Sequence, residues 1–216
     1  MEIRYLLWSV FVGGFFTALY FGRHALLAYC ATVVIAIALF RRPLVIWLTH
    51  LASKLGLMRG TISRMPVAIH LVRAPQPAEA ALPTLEALAG NGFLDAGAWD
   101  IVELPGIKVA LLVRPAESLL AAVETASSIG AQLNLHTLYP DGRVVTFTNS
   151  ELPASKVQRP NVTQTRVPRA SAETLLECAR QQRPGRPFAP VSVAEAPRVY
   201  EQLYADEIRF RKERGA

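Results

Sequence analysis

The sequence predicts an α+β architecture. An N-terminal transmembrane helical hairpin leads, and a ferredoxin-like two-layer sandwich of order β-α-β-β-α-β-β with C-terminal helices follows. Three observations predict it. Residues 5–21 and 25–40 are apolar and free of charge. The stretch 66–149 mixes alternating segments with helical ones. Pro-Gly and Asp-Gly punctuation separates its strands in pairs.

The hairpin comes first. At about 1.5 Å per residue, the run 5–21 approaches the roughly 20 apolar residues that span a hydrocarbon core. A polar break at Gly22-Arg23-His24 separates it from the second run, which Arg41 and Arg42 stop. Either arginine costs roughly 2.5–3.5 kcal/mol at a bilayer centre, so the second span is expected to end in the headgroups. Residues 43–58 mix Leu44, Ile46, Trp47 and Leu51 with His50 and Lys54, the composition of an amphipathic helix lying in the interface. Arg41, Arg42, Trp47 and Lys54 are the expected membrane-interface residues. The division is then 1–42 hairpin, 43–65 juxtamembrane helix and linker, and 66–216 soluble α+β domain.

Charge supports that placement. The net charge of +6 arises within residues 1–65, which hold seven Lys or Arg and one acidic residue, Glu2. The remainder carries 16 basic and 16 acidic side chains. A neutral domain argues against nucleic acid as a partner. The basic flanks place it on the cytoplasmic side of a membrane by the positive-inside rule. Arg outnumbers Lys nineteen to four, a GC-rich bias that points to a bacterial inner membrane. Cys30 and Cys178 lie in different environments, so neither a disulfide nor a Cys-based metal site is expected.

Within the domain, Val67, Ile69 and Leu71 alternate as a strand. Pro83 suits the first turn of a short helix that Asn91-Gly92 stops. Residues 99–104 and 107–114 read as strands joined at Pro105-Gly106. Residues 116–129 read as a helix, with Ala116, Leu119, Leu120, Val123 and Ala126 on one face and Gly130 at its end. Residues 131–139 and 143–149 read as a hairpin turning at Pro140-Asp141-Gly142. Residues 161–167 can add an edge strand. Ser171 caps a helix to about residue 182, and a last helix runs from near Pro197, docked by Val199, Leu203 and Phe210.

No phosphate-binding loop, metal-spaced His pair or nucleophile elbow is present, so no cofactor and no catalytic residue is expected. The candidate ligand face comes from alternation. Leu133 and Leu135 point one way, and Gln132, Asn134 and His136 the other; Val145 and Phe147 oppose Thr146 and Thr148. Two functional expectations follow. The first is a membrane-anchored, non-enzymatic protein in contact with the bilayer, whose domain binds a partner protein or its own copy. The second is a membrane-tethered small-molecule sensor or enzyme using the polar face around His136.

Overall fold

The computed structural model describes residues 15, 24, 27, 29, 30, 64–126, 130–152, 158–185 and 187–214 of the chain. The chain divides into two compact units, residues 1–45 and 46–216. In the first unit Phe15, His24, Leu27, Tyr29 and Cys30 are helical, and the Phe15 and Tyr29 rings meet edge to face at 6.3 Å. His24 was expected in the break between two spans; it is helical instead.

The second unit is built on a seven-stranded sheet whose spatial order is its sequence order. The strands are β1 (Leu71–Arg73), β2 (Leu94–Ile101), β3 (Ile107–Arg114), β4 (Leu119–Ala126), β5 (Gly130–Leu138), β6 (Val144–Thr148) and β7 (Val162–Arg166). Neighbours from β1 to β6 are antiparallel, and β7 joins β6 in parallel. Among the described residues, three α-helices accompany the sheet: α1 (Leu82–Gly90), α2 (Ala172–Gln182) and α3 (Ala196–Glu213).

The ferredoxin-like expectation is corrected by this meander, and the cause lies in one segment. Residues 119–126 form a strand rather than the expected helix, after a single 3-10 turn at Pro115–Glu117. This strand, β4, is central, paired with β3 along Leu119–Ala126 and with β5 along the same residues. The run Leu119-Leu120-Ala121-Ala122-Val123 is apolar at every position, so its periodicity separates helix from strand poorly. Both faces are buried in the fold, which is where a continuous apolar run is stable as a strand. Pairing on two sides overrides the helix preference of Leu, Ala and Glu.

The turns follow local chemistry. Gly106 takes φ 87° after Pro105, and the Ile107 amide donates to the Leu104 carbonyl, as a type II turn requires. Gly142 takes φ 78° in the β5–β6 hairpin, where the Tyr139 amide donates to the Arg143 carbonyl at 2.9 Å.

Helices cover the sheet on both sides. Toward α1 and α2, Leu112, Leu119, Ala121, Val123, Leu133, Leu135, Val145 and Phe147 pack on Leu88, Leu175, Leu176 and Ala179. Toward α3, Val109, Leu111, Val113, Leu120 and Ala122 pack on Ala196 and Tyr200. The Ser171 hydroxyl caps α2 by accepting from the Thr174 amide at 3.2 Å. Ser192 and Glu195 form a reciprocal capping box ahead of α3: the Ser192 amide donates to Glu195 Oε2 at 3.2 Å, and the Glu195 amide to Ser192 Oγ at 3.3 Å. The buried residues of α3 are Ala196, Tyr200 and Ile208; Val199 and Leu203 are partly buried against the same core, whereas Phe210 lies under the Arg214 guanidinium.

Among the described residues no helix is long and apolar enough to cross a membrane. Helices α1 and α2 have nine and eleven residues, and the 18-residue α3 is interrupted by Arg198, Glu201, Asp206 and Arg209. The transmembrane hairpin and the multi-pass inner-membrane location are corrected accordingly. The apolar runs lie almost wholly outside the described residues, as do Arg41, Arg42, Trp47 and Lys54.

Candidate functional site

The side of the sheet that faces α3 changes character along its width. Over β3 and β4 it is apolar and packed. At Glu124 the alternation of β4 continues, but the inward residue is a carboxylate. From there β5 contributes Gln132, Asn134 and His136, β6 contributes Thr146, and β7 contributes Gln164. Register places Gln132 opposite Glu124 and His136 opposite Thr146. Above them α3 presents Tyr200, Leu203, Tyr204, Glu207, Ile208 and Arg211, the i, i+3, i+4 spacing of a single helix face. Between floor and helix lies a cleft of about 440 Å³, within the range of small-molecule sites. Val144, Val162 and Leu152 add apolar wall.

The polar side chains form two groups. Glu124 Oε1 accepts from the Tyr200 hydroxyl at 2.9 Å and from Asn134 Nδ2 at 3.0 Å, and Gln132 Nε2 donates to Asn134 Oδ1 at 3.5 Å. Burial raises the pKa of the Glu124 carboxyl, and the bonds from Tyr200 and Asn134 oppose that rise. Burial and the neighbouring Glu124 charge hold the Tyr200 phenol well above its ordinary pKa. In the second group, His136 Nδ1 and Thr146 Oγ1 are hydrogen-bonded at 3.0 Å. Burial lowers the His136 pKa to about 4, so the imidazole is neutral at physiological pH.

Two atoms in this cleft are buried without a hydrogen-bond partner among the described residues: His136 Nε2 and the Tyr204 hydroxyl. Nearly all buried polar atoms in folded proteins are paired, and leaving one unpaired costs about 1–3 kcal/mol. Two of them lining one cavity mark a place suited to a polar guest. Tyr204 is also raised in pKa, chiefly by burial and then by Glu103 and Glu124.

Of the five residues expected to form the ligand face, Gln132, Asn134, His136 and Thr146 line the cleft together. Thr148 does not line it. Its side chain is buried, and its hydroxyl accepts from the Ser150 amide at 3.2 Å, serving the chain exit from β6. Sequence reasoning missed Glu124, Tyr200 and Tyr204. The first was assigned to a helix, and the other two join the site only through the docking of α3. Among the described residues no group of three or more His, Cys, Asp or Glu side chains is placed to hold a metal ion. Comparison of the chain with family models, with curated proteins and with solved structures gave no match.

Proposed function

We propose that the cleft between α3 and the β4–β7 half of the sheet binds a small polar organic molecule. The observation that carries this reading is the pair of unpartnered buried atoms, His136 Nε2 and Tyr204 Oη, inside a cavity of ligand size. A neutral imidazole held by Thr146 offers a directed donor or acceptor, set by its tautomer, and the phenol offers both. Apolar walls supply the area on which affinity rests. The test is a fragment screen on the full-length chain by thermal shift, repeated with His136→Ala. Stabilisation of the parent by about 2.7 kcal/mol at a hundredfold excess of ligand over Kd, reduced in the variant, is the expected result. Fragments that stabilise both proteins alike would place binding elsewhere.

A second reading, binding of a partner protein or self-association, is favoured by one edge of the sheet. β1 pairs with only Trp99, Asp100 and Ile101 of the eight-residue β2, and Val72, Leu94 and Val102 are exposed around that edge. Edges of this kind pair with a further strand. Light scattering of the full-length chain at rising concentration tests it; a monomer that Val72→Lys leaves unchanged would remove self-association through this edge.

A further inference from the structure

We infer that the molecule taken by the cleft carries a cationic nitrogen, a protonated amine or an amidinium on a compact apolar body, and that Glu124 receives it. The inference rests on the reading of the cleft as a small-molecule site and adds the ligand's charge and pole.

Three other carboxylates near α3 have basic partners. Asp206 meets Arg159 at 3.4 Å, Glu207 meets Arg211, and Glu103 meets His70. Glu124 has neutral donors only, Tyr200 and Asn134, and both address the same oxygen, Oε1. Its Oε2 has no hydrogen bond among the described residues. A glutamine at this position would accept the same two bonds through one oxygen and bury no charge. The hydrogen-bond network therefore does not account for a carboxylate. Glu124 is partly buried; a carboxylate partly withdrawn from water without a cation carries a cost, and the arrival of one recovers part of it. The two arginines of the cleft, Arg159 and Arg211, are engaged by Asp206 and Glu207, so they do not neutralise Glu124.

The remaining chemistry fits one guest. A nitrogen with several N–H donors can satisfy Glu124 and reach a lone pair on His136 Nε2 or Tyr204 Oη. Leu203, Ile208 and Val162 would cover its apolar body.

The test uses two probes of nearly equal shape, cationic benzamidine and neutral benzamide, titrated into the full-length chain by calorimetry. Benzamidine is expected to bind at least tenfold more tightly, and Glu124→Gln to reduce that ratio to about one. Because the ratio is measured first on the parent protein, it stands even where the variant fails to fold. Equal binding of the two probes, or a benzamidine preference that survives Glu124→Gln, overturns the inference while leaving a neutral ligand for the cleft. Binding of neither probe, together with a fragment screen that finds nothing sensitive to His136→Ala, overturns both the inference and the site.

Discussion

The strands β4, β5 and β6 carry two regions of opposite construction on their two faces. Toward α1 and α2 they present Leu119, Val123, Leu133, Leu135 and Phe147, at most 1% exposed, closed by the helices into a continuous core. Toward α3 their far halves present Glu124, Gln132, Asn134, His136 and Thr146, and the helix spans them across a cavity. Alternation along a strand lets every second residue serve packing while its neighbours serve a site. The difference teaches where stability and recognition reside: the first face holds the sheet together and thereby frees the second to remain polar.

Substitutions that exchange these roles should separate the faces. Phe147→Ala, which empties a fully buried volume, is expected to cost about 3–5 kcal/mol in denaturant unfolding. Thr146→Val, one residue away on the polar face, leaves His136 Nδ1 without its partner; it should cost about 1–3 kcal/mol and weaken ligand binding as well. A cost at Thr146 equal to that at Phe147 would show that both faces are core.

Acid should act through the polar face. The folded-state pKa of His136 lies near 4, below its ordinary 6.5, so the unfolded chain takes up the proton first as pH falls. Its contribution to stability is whole above about pH 6.5 and is lost as pH falls toward 4, about 2 kcal/mol between pH 7 and pH 5 as an upper figure. Glu124, shifted upward, has the opposite sign: its protonation favours the folded state as pH falls toward its ordinary 4.5. His136→Gln should therefore flatten the melting temperature between pH 7 and pH 5. An unchanged slope would assign the acid sensitivity to other groups.

Smaller effects sharpen the comparison. Glu124→Gln keeps an acceptor for Tyr200 and Asn134 and removes a desolvated charge, so stability at pH 8 should rise, by about 1 kcal/mol. Tyr204→Phe removes a buried hydroxyl that has no partner among the described residues, and stability should rise, by about 1 kcal/mol. A large loss in Tyr204→Phe would reveal a structural bond at that hydroxyl.

The architecture was not legible, a ferredoxin-like order being expected in place of the meander, but single elements were where local chemistry decides them. Pro140-Asp141-Gly142 specified the β5–β6 hairpin, and Ser171 specified the start of α2. The alternation of Gln132, Asn134 and His136 against Leu133 and Leu135 located the polar floor. What was not legible is long-range. The all-apolar run in β4 has no period to read; the helix expected there concealed Glu124 and led to the ferredoxin-like element order. Tyr200 and Tyr204 join the floor through the packing of α3, some 76 residues along the chain from Glu124 to Tyr200. The capping box Ser192–Glu195 was a local signal present in the sequence, and it places the start of α3 ahead of Pro197.

The most direct test of the account is side-chain NMR of His136 in the full-length protein during titration with benzamidine. The expected result is a neutral imidazole at pH 7 whose Cε1–H resonance moves saturably with ligand, in step with the ring signals of Tyr204. A His136 resonance that titrates near pH 6.5 and ignores the ligand would contradict it.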